Sequence, residues 1–227
     1  MVKVSMDRPR FDDESIIERI ERQGLRYNTK IAKPENCEVV VVSQDRVRRL
    51  NSLDGNVLNP KKTAFFCSKK TDPSDYIVFF MDSAYHDASW GGNVQYVDER
   101  VGGIQEKVNV RATFSFKIDR GDRVLPLLSE TRNRYSKRYL VEKIRLKIDN
   151  TIKSYVCQTL IKNGFISAQQ DILGVSERAQ EKLNQDVLSL FGITISNLNI
   201  LLEEDTEHVV QRGEFEWKAI KETGAEK

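Results

Sequence analysis

The longest regular pattern in the chain is VNVRATFSFKI, in which Val108, Val110, Ala112, Phe114, Phe116 and Ile118 alternate with Asn109, Arg111, Thr113, Ser115 and Lys117. Successive side chains of a strand point to opposite faces, so 108–118 is expected to have one buried and one wet face. Upstream, CEVVVV, SQDR and VRRL read as two strands joined by a tight turn. TAFFCS (Thr63 to Ser68) and YIVFFMD (Tyr76 to Asp82) read as two more. Asp54-Gly55 and Asn59-Pro60 mark turns between them, and the pairs Gly91-Gly92 and Gly102-Gly103 are expected at turns before strands. Residues Asp12 to Leu25 predict a short helix, with Ile16, Ile17 and Ile20 on one side and Gly24 at its end.

Beyond the turn at Asp119 to Asp122 the period changes. VLPLLSE can form only a short helix, with Pro126 tolerable in its first turn. A long helix is expected from about Tyr135 to Asn163, where Leu140, Ile144, Ile148, Ile152 and Tyr155 recur at spacings of three and four, and Asn163-Gly164 closes it. Ser176 is placed to cap another helix, whose stripe Ala179, Leu183, Val187 and Leu190 runs into Gly192. LFGITISNLNI then changes from helical to alternating grammar at Gly192. Its apolar phase slips from Ile193 and Ile195 to Leu198, Ile200 and Leu202, which predicts a bulge near Ser196-Asn197. The expected fold class is therefore α+β: an antiparallel-rich twisted sheet from the N-terminal half, two or three helices from the C-terminal half, and a return to a final strand.

Composition adds bounds rather than identity. The chain has 227 residues, enough for a core without staples, and 36 basic residues balance 34 acidic ones. A net charge of +2 gives no global attraction to nucleic acid or lipid, so any such partner must use a local patch. Cys37, Cys67 and Cys157 lie far apart without a CxxC pair, which suits buried, reduced thiols. MVKVSMDRPRFDDES lacks an apolar core, so no secretory signal is expected, and no window reaches the length of a spanning helix.

Candidate chemistry is sparse. His86 lies beside Asp82 and Asp87, but without a second His or Cys nearby a solvated turn is the simpler use, and His208 follows an acidic run. The glycine pairs match neither GxGxxG nor a P-loop, and no GxSxG occurs. No catalytic residue, metal site, cofactor or small-molecule substrate is assigned, and a non-enzymatic protein is expected.

The one strong local charge is RNRYSKRYLVEKIRLK, Arg132 to Lys147, with seven basic residues against one acidic. Three readings stand: the wet face of a helix, a subunit contact with the acidic tail from Glu203 to Lys227, or a phosphate-binding face with Tyr135 and Tyr139 for stacking. Its candidate contact residues are Arg132, Arg134, Lys137, Arg138 and Arg145. Phe65-Phe66 and Phe79-Phe80 each put one ring on each face of a strand, so both faces are covered or one offers aromatics to a partner or a bilayer. Trp217, in a short amphipathic stub with Val210 and Ile220, joins them as a candidate hydrophobic contact.

The element order, with the alternating strand, a short helix, KRYLVEKIRLKIDNTIKSYV and VSERAQEKLNQDVLSLFGITISNLNI, resembles the SPFH domain (stomatin, prohibitin, flotillin; also band-seven or PHB). Gly192 to Ile200 follows the family's Gly-Ile-x-Ile-x-x-Leu-x-Ile ending. SWGGNVQYVDE is similar to the strand entry of a bacterial, cytosolic, virion-core-like branch. The resemblance divides the chain into an N-terminal segment with a short helix (1–30), an SPFH-like domain (31–202) and an acidic, weakly helical tail (203–227). It implies a non-enzymatic scaffold that forms homo-oligomers and is recruited to membrane lipids or a membrane-bound partner, cytoplasmic and peripheral at the inner face of the membrane. The short polar MVKVSMDRPR departs from the membrane hairpin of most relatives. A nucleic-acid-binding module using Arg132 to Lys147 is the alternative.

Overall fold

The computed structural model describes residues 15–22, 35–43, 46–50, 76–98, 103–129 and 132–204. The fold is mixed α+β with antiparallel strands and helices, but the strands form two sheets rather than the one expected. The chain makes two compact units, the first from described residues within 1–86, 116–145 and 184–194, the second from those within 87–115, 146–183 and 195–204.

The first unit holds a five-stranded sheet in the order β3-β2-β4-β1-β7: β1 Ser15–Arg22, β2 Cys37–Ser43, β3 Arg46–Arg49, β4 Tyr76–Asp82 and β7 Arg134–Ser136. All its pairings are antiparallel, for example Val40 opposite Phe79 and Ile20 opposite Val78. The helix expected over Asp12 to Leu25 is instead strand β1 across residues 15–22, paired on both sides. Ile16 and Ile17 are both buried, Ile16 at the register shift where β1 pairs with β7. A β-branched segment between two strands is better used there than in a lone short helix. Residues 15–22 are therefore part of the sheet, within the 1–30 segment that the sequence set apart.

Strands β2, β3 and β4 fall where their patterns put them. Phe80 packs with Val39, Val41, Leu50 and Val78 on one face, and Phe79 is buried on the other, so both faces are covered at this pair. Phe65, Phe66, Cys67, Trp217, His208 and the turns at 54–60 lie outside the described residues. Cys37 is buried and Cys157 partly buried, and both are free thiols.

The second unit carries most of a three-stranded sheet in the order β5-β6-β8: β5 His86–Asp98, β6 Ile104–Ile118 and β8 Ile193–Glu204. Every apolar residue of the alternating pattern from Val108 to Ile118 is buried. Gly103 sits at the turn between β5 and β6 with φ 76°, but Gly91 and Gly92 lie inside β5, correcting the turn expected there. Packing explains the difference. Trp90 is on the buried face, and a Cβ on Gly92, two residues along the same face, would lie 2.6 Å from its indole Cζ2.

The helices follow. Gly121–Val124 (α1) and a 3-10 turn at Leu125–Leu127 form the short helical element around Pro126. Helix α2 spans Lys137–Gln170, starting after Tyr135, which belongs to β7. It breaks at Gly164 (φ 72°, ψ 175°), where an end was expected, and then resumes. Leu140, Ile144, Ile148 and Ile152 are buried as the spacing required, and the stripe continues through Val156 and Leu160 rather than Tyr155.

Helix α3, Ile172–Leu183, starts before Ser176, so Ser176 is not its cap. Its Oγ donates to Ile172 O (2.9 Å) and accepts the N–H of Ile200 (3.2 Å), while Gln180 Oε1 accepts the N–H of Leu198 (2.9 Å). One helix turn thus satisfies two backbone donors of β8. A π-helical turn over Asn184–Leu188 and a last turn α4, Ser189–Phe191, complete the run; Leu190, at 53 % exposure, is off the apolar stripe.

Gly192 adopts φ 66°, ψ 33°, the left-handed conformation expected where the helix stops. Its carbonyl accepts the N–H groups of Asp119 (3.0 Å) and Arg120 (3.1 Å), and the Thr194 hydroxyl donates to Asp119 Oδ2. Around this joint Arg49 donates to Glu38 and to Asp119 O (2.6 Å), and its pKa is raised, chiefly by the hydrogen bond to Glu38. Arg120 grips both oxygens of Asp122, and that hydrogen bonding lowers the Asp122 pKa. The phase slip in β8 lies where the sequence placed it: Asn197 has φ 53°, and burial moves from Ile195 to Leu198.

A Cβ at Gly192 would lie 2.3 Å from Arg120 O as well as forcing a left-handed alanine. Gly192→Ala is expected to lose about 2–4 kcal/mol, and at about 2–4 °C per kcal/mol to melt well below wild type in a thermal scan. Ser176→Ala leaves the Ile200 N–H without its acceptor, and is expected to cost about 1–3 kcal/mol by denaturant titration at unchanged m-value.

Candidate functional site

The basic segment is built on the junction of β7 and α2. Tyr135 points into the first unit at 1 % exposure; its hydroxyl donates to Ser129 O, and burial pushes its pKa up. It is therefore unavailable for the stacking role considered from sequence. Ser136 follows, and its Oγ accepts the N–H of Tyr139 (3.2 Å), capping a helix that starts two residues later than the expected Tyr135. Helix α2 opens on Lys137 and Arg138 and has no acidic residue in its first turn.

Tyr139 organises the charges around it. Its hydroxyl donates to Leu127 O (3.0 Å) and its ring lies against Tyr135, with centroids 5.2 Å apart and planes at 54°. The Arg132 guanidinium and the Lys143 ammonium sit 5.2 Å and 5.3 Å from the same ring centroid. Cations held against a ring face are attracted by its quadrupole, so the ring positions two positive charges and is not free for a base to stack on.

Of the five candidate contacts, Arg134 lies 3.8 Å from Glu18 and Arg145 lies 3.5 Å from Glu142, both in solvent-exposed geometry where such pairs are weak. Lys137 and Arg138 are exposed and, among the described residues, neither has a carboxylate within 4 Å. The structure thus brings Arg132, Arg134, Lys137 and Arg138 to one helix start, with Lys143 and Arg145 further along α2. Lys143 was counted in the basic segment but not singled out; its spacing of four from Tyr139 was the available signal.

A cation in the first helical turn faces the positive end of the macrodipole, which disfavours it by about 0.3–1 kcal/mol at an exposed site. Two such cations, with no acid to offset them, make a concentrated positive potential. The arrangement can hold carboxylate, phosphate or sulfate groups by charge, and it contains no nucleophile and base in hydrogen-bond reach of one another.

His86 is the first residue of β5 rather than part of a solvated turn. Its Nε2 lies 3.4 Å from Asp82 Oδ2 and its ring 5.7 Å from that of Phe116. Among the described residues no group of three His, Cys, Asp or Glu side chains is placed to hold a metal.

In the second unit a shallow cleft of about 500 Å³ opens on the polar side of the three-stranded sheet, between Asp87, Ser89, Thr113, Ser115 and Asn197. Ser115 Oγ donates to Asp87 Oδ1 (2.8 Å). Sequence reading missed it, because its residues come from three strands and carry no motif spacing. No protein-family model and no curated protein matches the chain.

Proposed function

We propose that the chain is a non-enzymatic, SPFH-like scaffold that self-associates and docks on anionic membrane surfaces through the start of α2. The observation that carries the docking is the placement of Arg132, Arg134, Lys137 and Arg138 at a helix N-terminus without first-turn acid, with Lys143 and Arg145 following along the helix. Acidic headgroups relieve both the mutual repulsion and the clash with the dipole, and each basic residue near such a surface is worth about 1 kcal/mol. Supporting the scaffold reading are the family resemblance, the β5-β6 hairpin followed by helices and β8, and the left-handed Gly192. Tyr139, already lined by two cations and Tyr135, is a poor platform for bases, which favours a headgroup over a nucleic acid.

Vesicle co-sedimentation tests this. Binding is expected with phosphatidylserine-containing vesicles and not with neutral phosphatidylcholine ones, and it should fade as salt shortens the Debye length from about 10 Å at 0.1 M to about 3 Å at 1 M. Lys137→Glu with Arg138→Glu should weaken it by at least about thirty-fold while leaving the melting temperature equal to or above that of wild type. Equal binding to neutral vesicles, or no effect of the double reversal, contradicts the reading. Retardation of RNA at the same salt with no vesicle binding replaces it with the nucleic-acid alternative.

A further inference from the structure

Among the described residues the two sheets end in four edge strands, β3 and β7 in one, β5 and β8 in the other. An edge presents a row of unpaired N–H and C=O groups, and native proteins blunt it by shortness, by charge, by proline or by a cover. Three of these edges are blunted. β3 has four residues, of which Arg46, Arg48 and Arg49 are cationic, and β7 has three residues. β8 is covered by α3, whose Ser176 and Gln180 accept the N–H groups of Ile200 and Leu198.

Among the described residues β5 lacks the shortness, charge and proline that blunt such edges, and Lys153 and Cys157 of α2 lie beside it. It runs for 13 residues without lysine, arginine or proline, and from Ala88 to Val97 it carries no charge. At the turn the Asp98 carbonyl accepts the Gly103 N–H across the hairpin (3.0 Å). Since the two sides of a strand alternate, the amides of Gly91, Asn93 and Gln95 are directed to the open edge. Among the described residues the Gln95 carbonyl meets only a distant thiol there, Cys157 Sγ at 3.9 Å. Gly92 is needed under the Trp90 indole, but a Cβ on Gly91 would meet nothing within 4 Å.

We infer that the β5 edge pairs with β5 of a second copy of this chain, antiparallel about a two-fold axis near Gly92. This rests on the self-association reading above and names its interface. In that register Trp90 faces Val94, Gly91 faces Asn93 and Gly92 faces its own counterpart, so buried-face residues meet buried-face residues and the inner faces stay on one side. Charge favours a like partner: Asp87 falls opposite Val97, and no two like charges are opposed along the strand. On α2, Leu146 and Ile161 share a stripe with Cys157, the residue beside the open edge, and are exposed at 70 % and 55 %.

The test combines mass with amide exchange on the full chain, using Asn93→Pro, which removes an outward N–H, and Gly91→Lys, whose side chain has open space in the monomer. Wild type is expected to dimerise with rising concentration, the amides of Gly91, Asn93 and Gln95 slowing in step. Both variants should melt like wild type and shift dimerisation to at least about ten-fold higher concentration, Asn93→Pro through loss of a symmetric pair of hydrogen bonds and Gly91→Lys through the charge it places on the edge. Assembly in which those amides exchange as fast as in the monomer, or folded variants that assemble like wild type, overturns the β5 pairing and leaves self-association standing. Amides protected at every concentration in a monomer overturn it too, showing the edge closed by the chain itself. A strict monomer with fast exchange at high concentration removes both the pairing and the self-association reading.

Discussion

The Gly192 carbonyl is the point on which the C-terminal architecture turns. It accepts two consecutive backbone donors, Asp119 and Arg120, just after β6, at a left-handed residue whose missing Cβ leaves room for Arg120 O. Thr194 adds a bond to the Asp119 carboxylate, so the start of β8 is tied to the residues after β6 at the glycine and again two residues beyond it. From there the phase of β8 is set, and Asn197 resets it so that Leu198, Ile200 and Leu202 return to the buried face. The slip directs the amides of Leu198 and Ile200 to Gln180 and Ser176, and the edge is closed. A local backbone requirement thus decides which edges of the sheet remain open.

Legibility in the sequence followed the strength of periodicity. Val108 to Ile118 and Tyr76 to Asp82 were readable because alternation and a bounded apolar run have few other uses. Gly192 and the slip near Asn197 were readable for the same reason, since a glycine between two different periods has a specific backbone meaning. β1 was not: Ile16, Ile17 and Ile20 fit a helix side as well as a strand, and only β4 and β7, distant in sequence, decide between them. Ser176 misled because serine before an apolar stripe usually caps a helix, whereas here it serves a backbone group 24 residues away. Gly91 and Gly92 read as a turn because the steric dependence of Gly92 on Trp90 is visible only once both lie on one strand face.

The basic site shows the same division. Its composition was plain in the sequence, but the roles within it were not. Burial removes Tyr135 from any contact surface, and Tyr139 is turned from a stacking platform into a support for Arg132 and Lys143. Cations at the positive end of a helix and a long uncharged strand at a sheet edge are both departures from what isolated stability favours. Such departures are where function is expected to be found, because a partner that supplies the missing charge or the missing strand removes the cost.

A scaffold of this kind should be assembled where it is bound. Counting photobleaching steps of singly labelled chains on phosphatidylserine-containing vesicles, at a concentration where the free chain is monomeric, tests that most directly. The account predicts that most fluorescent spots bleach in more than one step, because the surface concentrates chains whose β5 edges are open. Spots that bleach in a single step at every surface density would contradict it.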